Sequence, residues 1–254
     1  MAGSAREQTM VPVPKTVPPP AVRLRAVGGT SPPCPAFAPE DSGLSLQSHV
    51  SWHEDDLVAK HIRVRKGAVL LLAGQPFTAL FAVQSGSCKS VVTTASGHEQ
   101  IAAFHIAGEI LGTEAICEHV YDATVVALED SEFRSMPFDR VEALAQCNDY
   151  FRRSFDSLMS RQIRRERKVT FWVTTMRAEQ RVAAFLLDLA DRYGARGYSS
   201  HEFVLRMTRH EIGIHLGLSH ETVSRLLSNF HRQRLVRVKG RELAILDRVA
   251  LQGL

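Results

Sequence analysis

Residues Thr208 to Gln233 read TRHEIGIHLGLSHETVSRLLSNFHRQ, two short helical patterns separated by a glycine. The pattern is that of a helix-turn-helix. Ile212, Leu216, Leu218, Val223, Leu226 and Phe230 recur at helical spacing, and Gly213 and Gly217 fall where crossing helices and a sharp turn leave no room for side chains. Thr208 followed by Glu211 forms a capping box, and Ser219 is positioned to cap the second helix. His220, Glu221, Ser224 and Arg225 then face outward at the start of that helix, the end that meets base edges when such a helix enters a DNA major groove. Arg209 and Thr222 flank them as supporting positions.

Working outward, the charge is unevenly divided. Residues 1–150 carry 11 Lys and Arg against 17 Asp and Glu, a balance of −6, whereas residues 151–254 carry 20 against 10, a balance of +10. The C-terminal part therefore suits a polyanion, and the acidic N-terminal part opposes non-specific coating of nucleic acid by the whole chain. At 254 residues and 44% hydrophobic content, the chain has room for two ordinary domains. No run reaches the roughly 18 apolar residues of a membrane helix, and no apolar stretch near the N-terminus resembles a secretory signal, so the expected location is the cytoplasm and no membrane partner is expected. Cys34, Cys88, Cys117 and Cys147 are scattered, which argues against a disulfide framework and favours buried small apolar side chains for the last three.

Taken in order, residues 1–41 are rich in proline and small residues and read as a flexible tail. Residues 42–137 begin with a short helical pattern, then switch to brief apolar runs punctuated by Gly67, Gly74, Gly86, Gly97, Gly108 and Gly112, the rhythm of a β jelly roll. Residues 138–176 read as one long helix whose apolar stripe, including Phe151, Phe155, Leu158, Met159, Gln162 and Val169, repeats every seven residues and predicts pairing with a second copy of the chain. Within it RQIRRERK, Arg161 to Lys168, is read as a solvated basic run without a specific contact. Residues 177–254 add an amphipathic helix, a strand, the helix-turn-helix and a hairpin turning at Lys239-Gly240, which makes a winged helix. Arg237, Lys239 and Arg241 on the wing suit phosphate contacts. The fold class is thus α+β: a jelly roll, a dimerisation helix and a C-terminal winged helix-turn-helix.

With these segments in hand, the chain resembles the cyclic-AMP receptor/FNR superfamily of bacterial transcription regulators over residues 42–246. GHEQIAAFHIAGEILG resembles that family's β-roll, TMRAEQRVAAFLLDLADRYGARGYS its hinge and first DNA-binding-domain helix, and LRMTRHEIGIHLGLSHETVSRLLSNF its helix-turn-helix. The last is most similar to the FNR branch, where Glu-x-x-Ser-Arg reads a TTGAT half-site; the matching residues are Glu221, Ser224 and Arg225. Their chemistry agrees: Arg225 can donate a pair to guanine O6 and N7, Glu221 can accept from an exocyclic amine, and Ser224 is short enough to approach a thymine methyl. The resemblance implies a homodimer on double-stranded DNA that contacts RNA polymerase, acts as an activator and responds to redox or oxygen or to another signal.

The input half departs from the same family. FNR-branch sensors hold an iron–sulfur cluster on three N-terminal cysteines and one in the roll, but only Cys34 stands near a ligand position, and Arg134 or a neighbour replaces the fourth. The cluster is disfavoured, and Cys34 is left as a candidate redox thiol. The cyclic-nucleotide branch uses a Gly-Glu pair followed by an arginine; Gly108-Glu109 match the pair, but Tyr121 and Asp122 stand where the arginine would be, and Asp122 would repel a cyclic phosphate. His98, His105 and His119 match no metal-ligand spacing, and no metal is expected. No catalytic constellation is recognisable, so an enzyme is not expected. The rival readings are a ligand- or nucleotide-sensing module and an oxygen sensor with an atypically ligated cluster.

Overall fold

The computed structural model describes residues 57–94 and 96–254; the expected tail, Cys34 and most of the first helical pattern lie outside the described residues. Eight strands build the roll: β1 (Lys60–Val64), β2 (Val69–Leu71), β3 (Ala79–Ser85), β4 (Ser87–Thr93), β5 (Glu99–Ile106), β6 (Ile110–Leu111), β7 (Thr124–Ala127) and β8 (Ser131–Pro137), with helix α1 (Ala115–Glu118) between β6 and β7. They form two four-stranded antiparallel sheets, ordered β1-β8-β3-β6 and β2-β7-β4-β5. This is the jelly roll expected from the glycine rhythm. Val83, Leu111, Val125 and Phe133 pack between the sheets, joined by Tyr121, whose hydroxyl donates to the Ala79 carbonyl at 2.6 Å. Gly86 has φ +85°, and a Cβ there would lie 2.2 Å from the Ser131 hydroxyl, so the tight β3–β4 turn requires glycine.

Two helices follow where one was expected: α2 (Phe138–Cys147) and α3 (Asp149–Thr175). Asn148 separates them in extended conformation and caps α3 by accepting from the Phe151 amide. The long helix is real, but part of its heptad stripe has a different neighbour. Phe151 is buried, and with Phe155 and Leu158 it packs against Leu80, Ile110, Met136 and Val141 of the chain's own roll and α2. Val169 packs against the core of the C-terminal region. A seven-residue period identifies a buried stripe without identifying what buries it. The large hydrophobic side chains that α3 leaves exposed are Tyr150 in its first turn, at 79%, and Ile163 and Phe171 further along, at 48% and 55%.

Met176 ends α3 in extended conformation, and Arg177 begins α4 (Ala178–Gly194) with its amide held by the Gln180 side chain. Strand β9 (Glu202–Val204), helices α5 (Arg209–Leu216) and α6 (His220–Arg232), strands β10 (Val236–Lys239) and β11 (Glu242–Ile245) and helix α7 (Arg248–Gln252) complete the chain. The sheet order β10-β11-β9 confirms the winged helix. Its core joins Leu186 and Leu189 of α4, Ile212 and Leu216 of α5, Val223, Leu227 and Phe230 of α6, and Leu243 of β11. Leu227 takes the buried place expected of Leu226, which is only partly buried.

Gly213 sits where α5 meets the turn, and an added Cβ would lie 2.5 Å from the Leu218 carbonyl oxygen. Backbone on both sides leaves no soft partner to yield. Gly213→Ala is expected to lower unfolding stability by about 1–3 kcal/mol, read from the shift of the chemical denaturation midpoint; an unchanged midpoint would contradict this packing.

Candidate nucleic-acid interface

The first helix of the motif is fixed from both ends. Thr208 Oγ1 accepts from the Glu211 amide at 3.2 Å while Glu211 takes the Thr208 amide at 2.6 Å, the capping box read from the sequence. Gly217 ends α5 at φ +65°, a left-handed conformation that favours glycine and turns the chain toward α6. Ser219 caps α6 by accepting from the Thr222 amide. The second helix is thereby aimed with its first turn outward.

On that turn His220 and Glu221 are exposed, with His220 Nδ1 3.3 Å from Glu221 Oε1. Glu221's carboxyl is held below the ordinary range by the local backbone amide and the Ser219 hydroxyl, so it is an acceptor at neutral pH. Arg225 is exposed and Ser224 half-buried one turn further. The three proposed base readers thus share the outer face of the first two turns, opposite Val223 and Leu227. Lys239 ends β10 and Arg241 is the second residue of the Gly240-Arg241 hairpin turn; the Gly240 carbonyl accepts from Arg209 at 3.0 Å, tying the wing to the start of α5. Arg237 is engaged with Glu202 at 2.8 Å on the wing's side.

Behind this surface, the winged region lies on the outer face of the roll. Phe104 of β5 meets Phe185 and His215 at centroid distances of 5.9 and 5.1 Å, and Val91, Ile101 and Leu128 join the same core. Around that apolar contact Lys89 pairs with Glu211 at 2.7 Å, Gln100 donates to the Ile214 carbonyl at 2.9 Å, His215 Nδ1 lies 2.9 Å from the Ile101 carbonyl, and Arg206 pairs with Glu129 at 3.0 Å.

Sequence reasoning missed the densest polar contact among the described residues. Glu109, 4% exposed, receives Arg192 through both Nε at 3.0 Å and Nη2 at 2.8 Å, Arg196 at 3.0 Å and Arg165 at 3.1 Å. Arg165 belongs to the run RQIRRERK, so that run does make a specific contact, and its Lys168 pairs with Asp188 at 3.4 Å. The partners are 56 to 87 residues from Glu109, and no local spacing announces them. Burial alone would raise the Glu109 pKa, but the three guanidinium groups outweigh it and draw it down to about 2.

The candidate ligands of the input half do not converge. Cys88 is buried, with its thiol pushed well up by burial and by the Glu109 charge, whereas Cys117 and Cys147 are exposed rather than buried as expected. His98 lies in the exposed β4–β5 turn beside Ser96, His119 ends α1 in left-handed conformation, and His105 is buried against Ser90 at 2.9 Å. Among the described residues no three His, Cys, Asp or Glu side chains are grouped to hold a metal, and no helix is long and apolar enough to cross a membrane.

A jelly roll carrying a winged helix-turn-helix with its second helix presented outward defines a class of one-chain DNA-binding regulators. The comparisons give the same class. Residues 61–148 match the cyclic nucleotide-binding domain and residues 180–254 the Crp-like helix-turn-helix domain. The chain is 43% identical to the transcriptional regulatory protein btr of Bordetella pertussis over 79% of its length and 83% of that protein's. It is 37% identical to the transcriptional activator protein anr of Pseudomonas aeruginosa, over 86% and 90% respectively. The solved structure of FixK2 from Bradyrhizobium japonicum superposes with a TM-score of 0.71 at 28% identity, covering 78% of this chain and 98% of that one. This chain belongs to the cyclic-AMP receptor/FNR family of transcription regulators.

The buried histidines at the contact give it an acid limit. Burial is the main cause that lowers the His105 pKa to about 4, with Glu109 opposing and Arg192 and Arg165 assisting; His215 is lowered in the same direction by burial. Both fold as neutral rings. Their stabilising effect is complete above the ordinary histidine pKa and is lost as pH falls from about 6.5 toward 4, with His105 alone accounting for about 2–3 kcal/mol. Unfolding free energy is expected to fall by at least that amount between pH 7 and pH 4; a flat profile would contradict neutral burial.

Proposed function

We propose that this chain binds, as a homodimer, a DNA palindrome of TTGAT half-sites about one helical turn apart, and there acts as a transcriptional activator that engages RNA polymerase. The observation carrying this reading is the outward first face of α6, where Glu221, Ser224 and Arg225 stand together on a helix capped at Ser219. Lys239 and Arg241 on the wing, with Thr208, Arg209, His220 and Thr222 around the helix starts, supply the contacts that fix register. The dimer seam is the part of α3 that its own chain leaves uncovered, where Ile163, Glu166, Thr170, Phe171 and Thr174 line an open groove. Met159 and Gln162, half-buried beside it, extend that seam. In this reading Phe151, Phe155 and Leu158 hold α3 to its own roll.

The relatives are named as activators and, in several cases, as anaerobic regulatory proteins, which supports activation as the output. The input is set apart from a cluster-based oxygen sensor by the cysteine pattern and from cyclic-nucleotide binding by Asp122 and by the arginines that already hold both oxygens of Glu109. The chain acts in the cytoplasm as a regulator rather than an enzyme, with a signal of a third kind.

The test is equilibrium binding to a TTGAT palindrome and to a scrambled duplex at fixed salt, together with binding-site selection for Arg225→Ala. The wild type is expected to select TTGAT half-sites, and the variant to lose discrimination at the guanine by about 5- to 150-fold, the equivalent of 1–3 kcal/mol for one good base contact. Selection of an unchanged consensus by Arg225→Ala would overturn the assignment.

A further inference from the structure

Glu109 stands on the turn between β5 and β6, inside the roll, yet its carboxylate is filled from outside the roll. Arg165 reaches it from α3, before the Met176–Arg177 hinge, while Arg192 reaches it from α4 and Arg196 from the turn that follows α4, both after the hinge. Arg192 makes a two-point contact and also donates to the Phe104 carbonyl at 2.6 Å. Gly108 leaves room for Arg196: at φ +82° it has no side chain, and a Cβ there would come within 3.0 Å of the guanidinium Nε. One carboxylate therefore joins the roll, the long helix and the first helix of the winged region at a single point.

A buried ion pair contributes little to net stability, because the cost of removing its charges from water offsets their attraction. What it supplies is geometry, since a planar guanidinium pairs with a carboxylate in a narrow range of directions. Three guanidinium groups on one carboxylate, one from the last turn of α4 and one from the turn just after it, restrict the rotation of α4 about the hinge. A second set of contacts in the same interface, Lys89–Glu211 and His215 with the Ile101 carbonyl, holds α5, the helix that precedes the recognition helix.

We propose that Glu109 is the positioning residue of this regulator: by holding Arg165, Arg192 and Arg196 together it sets the angle of the winged region on the roll, and so the spacing between the two recognition helices of a dimer. The spacing clause rests on the proposed reading of a palindrome by a homodimer; the angle clause does not. No direct DNA contact is required of Glu109, and a change in it acts through the placement of α6.

The full-length chain is compared as wild type and Glu109→Gln, a substitution that keeps shape and removes the charge. Hydrogen exchange on the free proteins is the first arm. Amides of β5 and α5, at the roll–wing contact, are expected to exchange at least about tenfold faster in Glu109→Gln, while those of β3 and β8 inside the roll stay within about twofold. Binding to palindromes whose half-site spacing is altered by one base pair is the second arm. The wild type is expected to bind the altered spacing at least about tenfold more weakly, and Glu109→Gln to discriminate by less than about threefold while selecting the same half-site.

A variant that loses thermal stability but keeps both the exchange pattern at the contact and the spacing discrimination would overturn the proposal, leaving Glu109 as support only. Arg196→Ala, which removes the link at the rim and leaves the two-point Arg192 pair, is the second variant should Glu109→Gln not fold, and a partial change in the same two readouts is expected of it. Arg196→Ala indistinguishable from wild type in both arms would likewise overturn it. If the wild type binds no TTGAT palindrome, the proposed function fails, and the exchange arm still decides the angle clause.

Discussion

The contact between the roll and the winged region is the constraint on which the rest of the structure depends. Two antiparallel sheets with one face packed inward would ordinarily present a polar outer face to water. Here β4 and β5 carry Val91, Ile101 and Phe104 into a core shared with α4 and α5, so the outer face of one sheet is apolar because a second region covers it. Phe104, Phe185 and His215 meet at its centre, and charged pairs surround them. The reading helix is therefore not an appendage on a flexible hinge. Its aim is specified by contacts that begin inside the roll.

This arrangement separates two electrostatic tasks that the overall charge conceals. In the proposed reading the charge that meets DNA is the exposed charge on α6 and the wing, which can exchange counterions for phosphates. The buried charge lies at Glu109, where three arginines meet one carboxylate and no nucleic acid can reach it. Arginines counted in the basic C-terminal balance are thus of two kinds, and Arg165, Arg192 and Arg196 serve the fold. The same distinction explains the input half: the position that matches a nucleotide-binding carboxylate is already satisfied by side chains of the chain itself.

Much of the output end was legible in the sequence because its signals are local. The capping box at Thr208, the left-handed Gly217, the cap at Ser219 and the wing turn all act within a few residues, and the structure shows each as read except that the wing turn is Gly240-Arg241, one residue later than expected, because Lys239 still pairs with Glu242. The jelly roll was legible from glycine punctuation. The long helix was legible as a helix, but its partners were not, since Phe151 and Ile163 are both apolar at helical spacing and only the folded chain distinguishes the roll-facing side from the uncovered one. Asn148 was read through as helix, although its side chain ends one helix and begins the next. Glu109 stood out in the sequence, but its partners did not, because Arg165, Arg192 and Arg196 lie dozens of residues away and each, taken alone, resembles a solvated charge.

The central claim is that α6 reads bases through named side chains, and a cycle between protein and DNA tests it most directly. The guanine of each TTGAT half-site is replaced by 7-deazaguanine, which lacks the N7 acceptor and keeps base pairing, and affinities are measured for the wild type and Arg225→Ala. The account predicts that the replacement weakens wild-type binding by roughly tenfold, about 1.4 kcal/mol for one lost acceptor of a bidentate pair, and leaves the variant unchanged. An equal loss in both proteins, or none in the wild type, would contradict it.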